Sequence, residues 1–282
     1  MEKIAVVTDT GSNLSFAQAK ELGIYLLPLQ ITIDETTYQD TLEISTQDIY
    51  NELANGKMPK TSMAAYQKIY DLFEELKKDY DTIFAVPLTN GLSTNASTMQ
   101  SIARELEMNV HVIDMYATCA LEKHVAIWIK KLVDEHKSSE EILKIIQPAI
   151  DESNSLILVK NLQHLKRGGR LTPMAAALAG LLKIYPVLHI NKSTKGRIDV
   201  LNKVRTEKRA DAYAIDKVMD DIDIQHTHIY IIHSNFLEGA NHFKKCFIEK
   251  GVPEQNIHID YISSVIAVHT GLGCIAIQYI RE

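Results

Sequence analysis

The chain has 282 residues, 46% of them apolar and 23% charged, and its 36 acids outnumber its 30 Lys and Arg by 6. That balance excludes disorder along the whole chain and a surface basic enough to grip nucleic acid throughout. The longest uncharged helix candidate, 171–182, has 12 residues, against the roughly 18–20 needed to cross a bilayer.

At about 100–200 residues per domain, the length allows one large domain or two of ordinary size. The first residues enter a strand pattern directly, without the cationic lead, apolar core and cleavage site of a secretory leader. Cys119, Cys246 and Cys274 are an odd, widely spaced set with no Cys-x-x-Cys pair. Both features predict a cytoplasmic protein with buried thiols, and no metal or cofactor is expected. The charge is uneven: residues 160–209 carry 12 Lys and Arg against Asp199 and Glu207 alone, a stretch of +10, leaving −16 for the remainder. Such asymmetry reads as a basic face on an acidic body, or as basic residues scattered around the fold.

In chain order, Ile4-Ala5-Val6-Val7 is an apolar run without alternation, so it predicts a strand buried on both faces. Thr8-Asp9-Thr10 follows, then a helix-compatible segment to residue 21. Lys60-Thr61-Ser62 precedes a helix predicted over 63–78. The strand, polar turn and helix recur at 82–86, 87–95 and on to 107, and again at 110–113, Asp114 and on to about 136. Leu121, Val125, Trp128, Ile129 and Leu132 give that last helix one apolar face. Another helix is predicted over 139–150. Alternating strands and helices predict a mostly parallel, three-layer, Rossmann-like α/β domain over residues 1–152.

Beyond it the pattern changes. Strands are predicted at 155–160, 185–190, 197–203, 228–233, 257–261 and 273–280, with residues 191–196 as a hairpin loop. Helices are predicted at 173–182, 207–220 and 236–250. This predicts a second α/β domain over 153–282, with a mixed or antiparallel sheet of about six strands.

Ligands collect where parallel strands end and helices begin. Thr8-Asp9-Thr10, residues 89–95, Asp114 and Lys60-Thr61-Ser62 offer hydroxyls beside helix N–H groups, an anion site in outline. The same residue types are ordinary N-caps. Gly91-Leu92-Ser93 invites a hydrolase reading with Ser93 as nucleophile, but Asn95 stands where a nucleophile elbow needs Gly. Gly168-Gly169-Arg170 lacks the Lys-Ser/Thr of a phosphate loop. His226-Thr227-His228 has the spacing of metal ligands but also of an exposed strand start. His269-Thr270-Gly271-Leu272-Gly273 follows the apolar run 265–268, so His269 is a pocket wall or a satisfied core residue. Thr172 and Pro173 form a natural helix start. The small residues after them serve close packing or leave room for an apolar ligand.

In order, Thr8-Asp9-Thr10, Lys60-Thr61-Ser62, Gly91-Leu92-Ser93, Ile113-Asp114, Gly168-Gly169-Arg170, Arg205 and residues 269–273 resemble the DegV family over nearly the whole chain. That family includes the fatty-acid-binding subunit of the bacterial fatty acid kinase system. The resemblance implies two α/β domains holding one long-chain fatty acid between them. It implies that Thr61, Ser62, Ser93, Thr94, His269 and Thr270 bind the ligand, its carboxylate at Thr61, Ser93 and His269. It further implies that Arg170 and Arg205 face an ATP-binding fatty acid kinase, which phosphorylates the bound acid to an acyl-phosphate for phospholipid synthesis. On this reading the chain is a lipid carrier and no enzyme. The basic stretch is then a docking face for the kinase or for a transient contact with an anionic membrane, and nucleic acid is no partner. Met63-Ala64-Ala65, Thr94-Asn95, Met115 and Tyr185 depart from the family pattern and alter the pocket mouth. Two alternatives stay open: a serine-dependent hydrolase or acyl-transfer enzyme using Ser93 and His269, and a carrier of another apolar acid.

Overall fold

The structure is a computed structural model that describes residues 2–181 and 183–282. The first half comprises β1 (Ile4–Asp9), α1 (Phe16–Leu22), β2 (Tyr25–Leu27), β3 (Gln30–Ile33), β4 (Thr36–Gln39), α2 (Thr46–Ala54), β5 (Lys60–Ser62), α3 (Tyr66–Leu76), β6 (Thr82–Val86), α4 (Asn95–Glu105), β7 (Asn109–Val112), α5 (Ala120–Asp134) and α6 (Ser139–Glu152). Strands β2-β1-β6-β7 form one sheet, parallel throughout. Every residue of β1 is buried. Ala5 and Val7 pack with Ile69 and Phe73 of α3 and Met99 of α4. Ile4 and Val6 pack with Val125 and Ile129 of α5 and Ile146 of α6 on the other face. The unalternating run of β1 thus sits between two helix layers, as such runs do.

A small antiparallel sheet, β4-β3-β5, is inserted beside it. Lys60-Thr61-Ser62, which the sequence places as a polar turn before a helix over 63–78, forms its edge as a strand. The helix starts later, at Tyr66, with Ala65 at its N-cap and no side-chain cap bond.

The second half comprises β8 (Asn154–Leu158), α7 (Leu162–Arg167), α8 (Pro173–Leu178), β9 (Tyr185–Ile190), β10 (Asp199–Val204), α9 (Glu207–Asp221), β11 (Thr227–His233), α10 (Leu237–Glu249), β12 (Ile257–Tyr261), α11 (Ser264–Thr270) and β13 (Ile275–Arg281). The order β10-β9-β8-β13-β11-β12 makes one six-stranded sheet. It is mixed, because β11 and β12 run parallel and the other pairs antiparallel. Residues 191–196 close the β9–β10 hairpin, as the sequence indicates. Thr172 Oγ1 accepts the Ala175 N–H at 3.3 Å and Pro173 begins the helix. That helix, predicted to reach residue 182, ends at Leu178; Leu182 lies outside the described residues. The apolar run 265–268 is inside helix α11, with His269 in its last turn.

One face of the mixed sheet is covered by α9 and α10, through Ala210, Ala214, Phe243 and Phe247. Its other face joins the core of the first half, so Ile157, Leu188 and Ile232 share one cluster with Leu29, Ile31 and Ile49. Polar bonds pin this joint. Tyr50 Oη donates to the Ile262 carbonyl at 2.6 Å, and the Gln278 amide bonds Ala120 N–H at 3.0 Å and Thr118 C=O at 2.9 Å. All three cysteines are free, Cys119 and Cys274 being buried. Among the described residues no helix is long and apolar enough to cross a membrane.

Candidate functional site

A cavity of about 440 Å³ opens where the two halves meet, within the usual range of small-molecule sites. The first half lines it with Thr61 and Ser62 of β5, Met63, and residues 90–94 of the loop after β6. The second half contributes Gly169 and Arg170, Arg197 and Ile198 before β10, and Val265, Ile266, His269 and Thr270 of α11. Thr61, Ser62, Ser93, Thr94, His269, Thr270 and Arg170 therefore meet at one place.

His269 is the hub. Its Nε2 lies 2.7 Å from Thr61 Oγ1, 208 residues away in sequence. The Gly168 carbonyl accepts Nη1–H of Arg170 at 2.7 Å and also bonds the imidazole. Burial, and then the charge of Arg170, push the pKa of His269 down to about 4. The imidazole is therefore neutral at pH 7. A Cβ at Gly168 would stand 3.0 Å from Nδ1, so a side chain there would press on the ring.

Arg170 departs from the expectation of a purely partner-facing residue. Its guanidinium folds back onto Gly168 and joins the cavity wall beside His269. It is the half-buried cation of the site, and burial lowers its pKa. Arg205 does not share this place. It is exposed beyond the far end of β10, roughly 20 Å along the strand from Ile198 at about 3.3 Å per residue.

Ser93 Oγ accepts the Asn95 N–H at 3.1 Å at the start of α4. Thr94 donates to the Met63 sulfur at 3.4 Å, so the departure at Met63 also braces the rim. Gly91 is a point of backbone contact between halves: a Cβ there would stand 2.1 Å from the Gly196 carbonyl of the β9–β10 hairpin. Thr8, Asp9 and Thr10 are buried beneath the site rather than open to it. Asp114 accepts the N–H groups of Asn90 and Tyr116 at 3.2 and 2.9 Å.

Arg197 and Ile198 went unnoticed as site residues in the sequence, whereas Asn90 belongs to the polar loop 89–95 and Val265 and Ile266 to the apolar run singled out there. Arg197 and Ile198 follow the hairpin loop, a position that reads only as strand start. A second, apolar-walled void of about 30 Å³ adjoins the cavity, sharing Leu92, Ile198, Ile266 and Thr270 as lining. It leads inward past Ile157, Ile190, Ile232 and Ile262 to Cys119, Cys274 and Gln278. The metal spacing of His226 and His228 is not realised: His226 pairs with Asp223 at the surface, and His228 Nδ1 lies 3.3 Å from His258 Nε2.

The fold and this cavity define an α/β protein of two main sheets and a small third one, with a cavity at the joint of its halves where polar groups meet apolar side chains. The family model described as "Uncharacterised protein, DegV family" matches residues 3–282. A DegV domain-containing protein of Halalkalibacterium halodurans is 31% identical over 288 residues, with all of each chain covered. The chain belongs to the DegV family. Among solved structures, the fatty acid binding DegV family protein of Streptococcus agalactiae matches with a TM-score of 0.92 at 29% identity, over 100% of each chain. DegV of Bacillus subtilis, a fatty acid binding protein, matches with a TM-score of 0.86 at 27% identity, again over 100% of each.

Proposed function

We propose that this protein binds one long-chain fatty acid at the joint of two domains, residues 1–152 and 153–282. Its carboxylate lies at Thr61, Ser93 and His269, with Ser62, Thr94 and Thr270 around it, and its tail runs toward the apolar-walled void. The observation that carries this reading is the placement of the Thr61–His269 pair and Arg170 beside an apolar-walled void inside one joint. The likeness to the fatty acid binding proteins of Streptococcus agalactiae and Bacillus subtilis supports it. Burying a chain of sixteen or so carbons contributes on the order of 12 kcal/mol before association costs. The tail therefore supplies most of the affinity, and the head group needs orientation more than grip.

The protein then presents the carboxylate to an ATP-binding fatty acid kinase in the cytoplasm and performs no catalysis itself. Arg170 at the mouth and the basic stretch 160–209, including Arg205, form the docking face for that kinase or for an anionic membrane edge. A hydrolase using Ser93 is disfavoured by the hydrogen bonds. His269 is engaged by Thr61, Ser93 Oγ by the Asn95 N–H, and an imidazole titrating at about 4 is a weak base.

Mass spectrometry of lipid extracted from the denatured protein tests the binding reading. One stoichiometric fatty acid is expected; a lipid-free preparation that also takes up no fatty acid overturns it, and another apolar acid would redirect it. Adding a fatty acid kinase and ATP to the loaded protein tests the second step, with acyl-phosphate as the expected product.

A further inference from the structure

The loop that carries Ser93 is held from beneath by one carboxylate. Asp9, the last residue of β1, is fully buried at the carboxyl end of a central parallel strand. Its Oδ2 accepts the Leu88 N–H at 2.9 Å and the Asn95 side-chain amide at 2.6 Å, one at each end of the loop 88–95. Its Oδ1 accepts the Gly11 N–H at 2.8 Å. Asn95 passes the constraint on, because its own backbone N–H bonds Ser93 Oγ at 3.1 Å.

Behind Asp9 lies Glu122, also fully buried, in the first turn of α5. Thr8 Oγ1 lies 3.3 Å from its Oε1, and Asp9 stands close enough for its charge to raise the Glu122 pKa. Neither carboxyl has a cationic partner among the described residues. Two touching carboxyls in a dry site hold one proton between them. Burial raises both groups, but three N–H donors favour the ionised form of Asp9, whereas burial and the charge of Asp9 push Glu122 far up. Of the two, Glu122 is the group pushed further toward its protonated form. Removing two such groups from water is costly for stability. What the pair secures is the placement of a loop whose other side faces the cavity.

We propose that Asp9, supported by Glu122, is a positioning residue for the head-group site: it clamps both ends of the 88–95 loop and so fixes where the Ser93 hydroxyl meets a carboxylate. The proposal rests on the fatty-acid reading above and adds to it a residue that never touches the ligand.

The test compares two probes on the full chain, palmitic acid and the sixteen-carbon alcohol, which share a tail and differ in the head. Asp9→Asn is expected to weaken palmitic acid about tenfold, the scale of one well-made hydrogen bond, and to leave the alcohol within about twofold. Glu122→Gln, which keeps a donor toward Asp9, is expected to retain the acid-over-alcohol preference. Combining Asp9→Asn with Ser93→Ala is expected to cost no more than Ser93→Ala alone, because both act through one hydroxyl. Asn95→Ala breaks the same clamp while leaving Asp9 in place, and it carries the test if Asp9→Asn does not fold. Equal losses for acid and alcohol, additive losses in the double variant, or no loss in a folded variant would overturn the positioning role. A wild type that binds neither probe instead overturns the fatty-acid reading beneath it.

Discussion

Acidification of the ligand-free protein isolates the contribution of His269. Its folded pKa of about 4 lies below the ordinary 6.5 because the ring is buried and faces Arg170. As pH falls through 6.5 the unfolded chain takes up a proton that the folded chain refuses until about pH 4. Folding stability must therefore fall with pH across that window. The separation corresponds to about 3.4 kcal/mol when complete and about 2 kcal/mol at pH 5, at about 1.36 kcal/mol per unit. His124, also pushed down to about 4 by burial, adds a similar loss. Asp40, raised by burial to about 6, works in the opposite direction. Urea unfolding at pH 8 and pH 5, for wild type and His269→Asn, cancels these other groups in the difference. The variant is expected to lose about 2 kcal/mol less than wild type between the two pH values. An equal loss in both proteins would refute the account of a buried, neutral imidazole at the cavity.

Two further substitutions probe the joint. Gly91→Ala places a methyl against the Gly196 backbone and is expected to destabilise by about 1–3 kcal/mol through overpacking. It should lower fatty-acid affinity as well, since the same loop carries Ser93; chemical unfolding and lipid titration read the two effects. Arg170→Ala removes the half-buried cation beside His269. It should raise the His269 pKa, visible by NMR titration, and weaken carboxylate binding more than binding of the matching alcohol; an unmoved His269 titration would refute that coupling.

Much of the architecture is legible in residues taken singly. The unalternating Ile4-Ala5-Val6-Val7 run requires cover on both faces, and the structure supplies a helix layer on each. The polar loop 191–196 between two apolar runs requires a hairpin, and β9 and β10 pair accordingly. The edge strand β5 was not readable: three residues with a half-exposed Thr61 carry no period, and their partner β3 lies some thirty residues earlier. Helix α11 looked like a strand-length apolar run because four apolar residues fit either period, and its helical form follows from packing against α2 and α7. The site was legible only as a set of residue types. Neither the neutrality of His269 nor the return of Arg170 to the cavity is local; both follow from burial at a joint formed by residues far apart in sequence.

The unequal sizes of the two spaces bear on how an acyl chain is held. The head cavity measures about 440 Å³ and the inner void about 30 Å³, the latter near the room one water occupies. Leu92, Ile198, Ile266 and Thr270 stand between them and belong to both halves of the molecule. A long tail bound as proposed would advance past them only by displacing apolar side chains, which would regain contact against the tail itself. The exchange costs little dispersion energy once the chain is in, yet it leaves a closed, dry core when the chain is out. The polar bonds of Gln278 and Tyr50 lie across the same joint. They fix the register of the two halves across the apolar residues between them. A joint pinned by polar contacts and filled by apolar side chains fits the proposed binding of a water-insoluble chain.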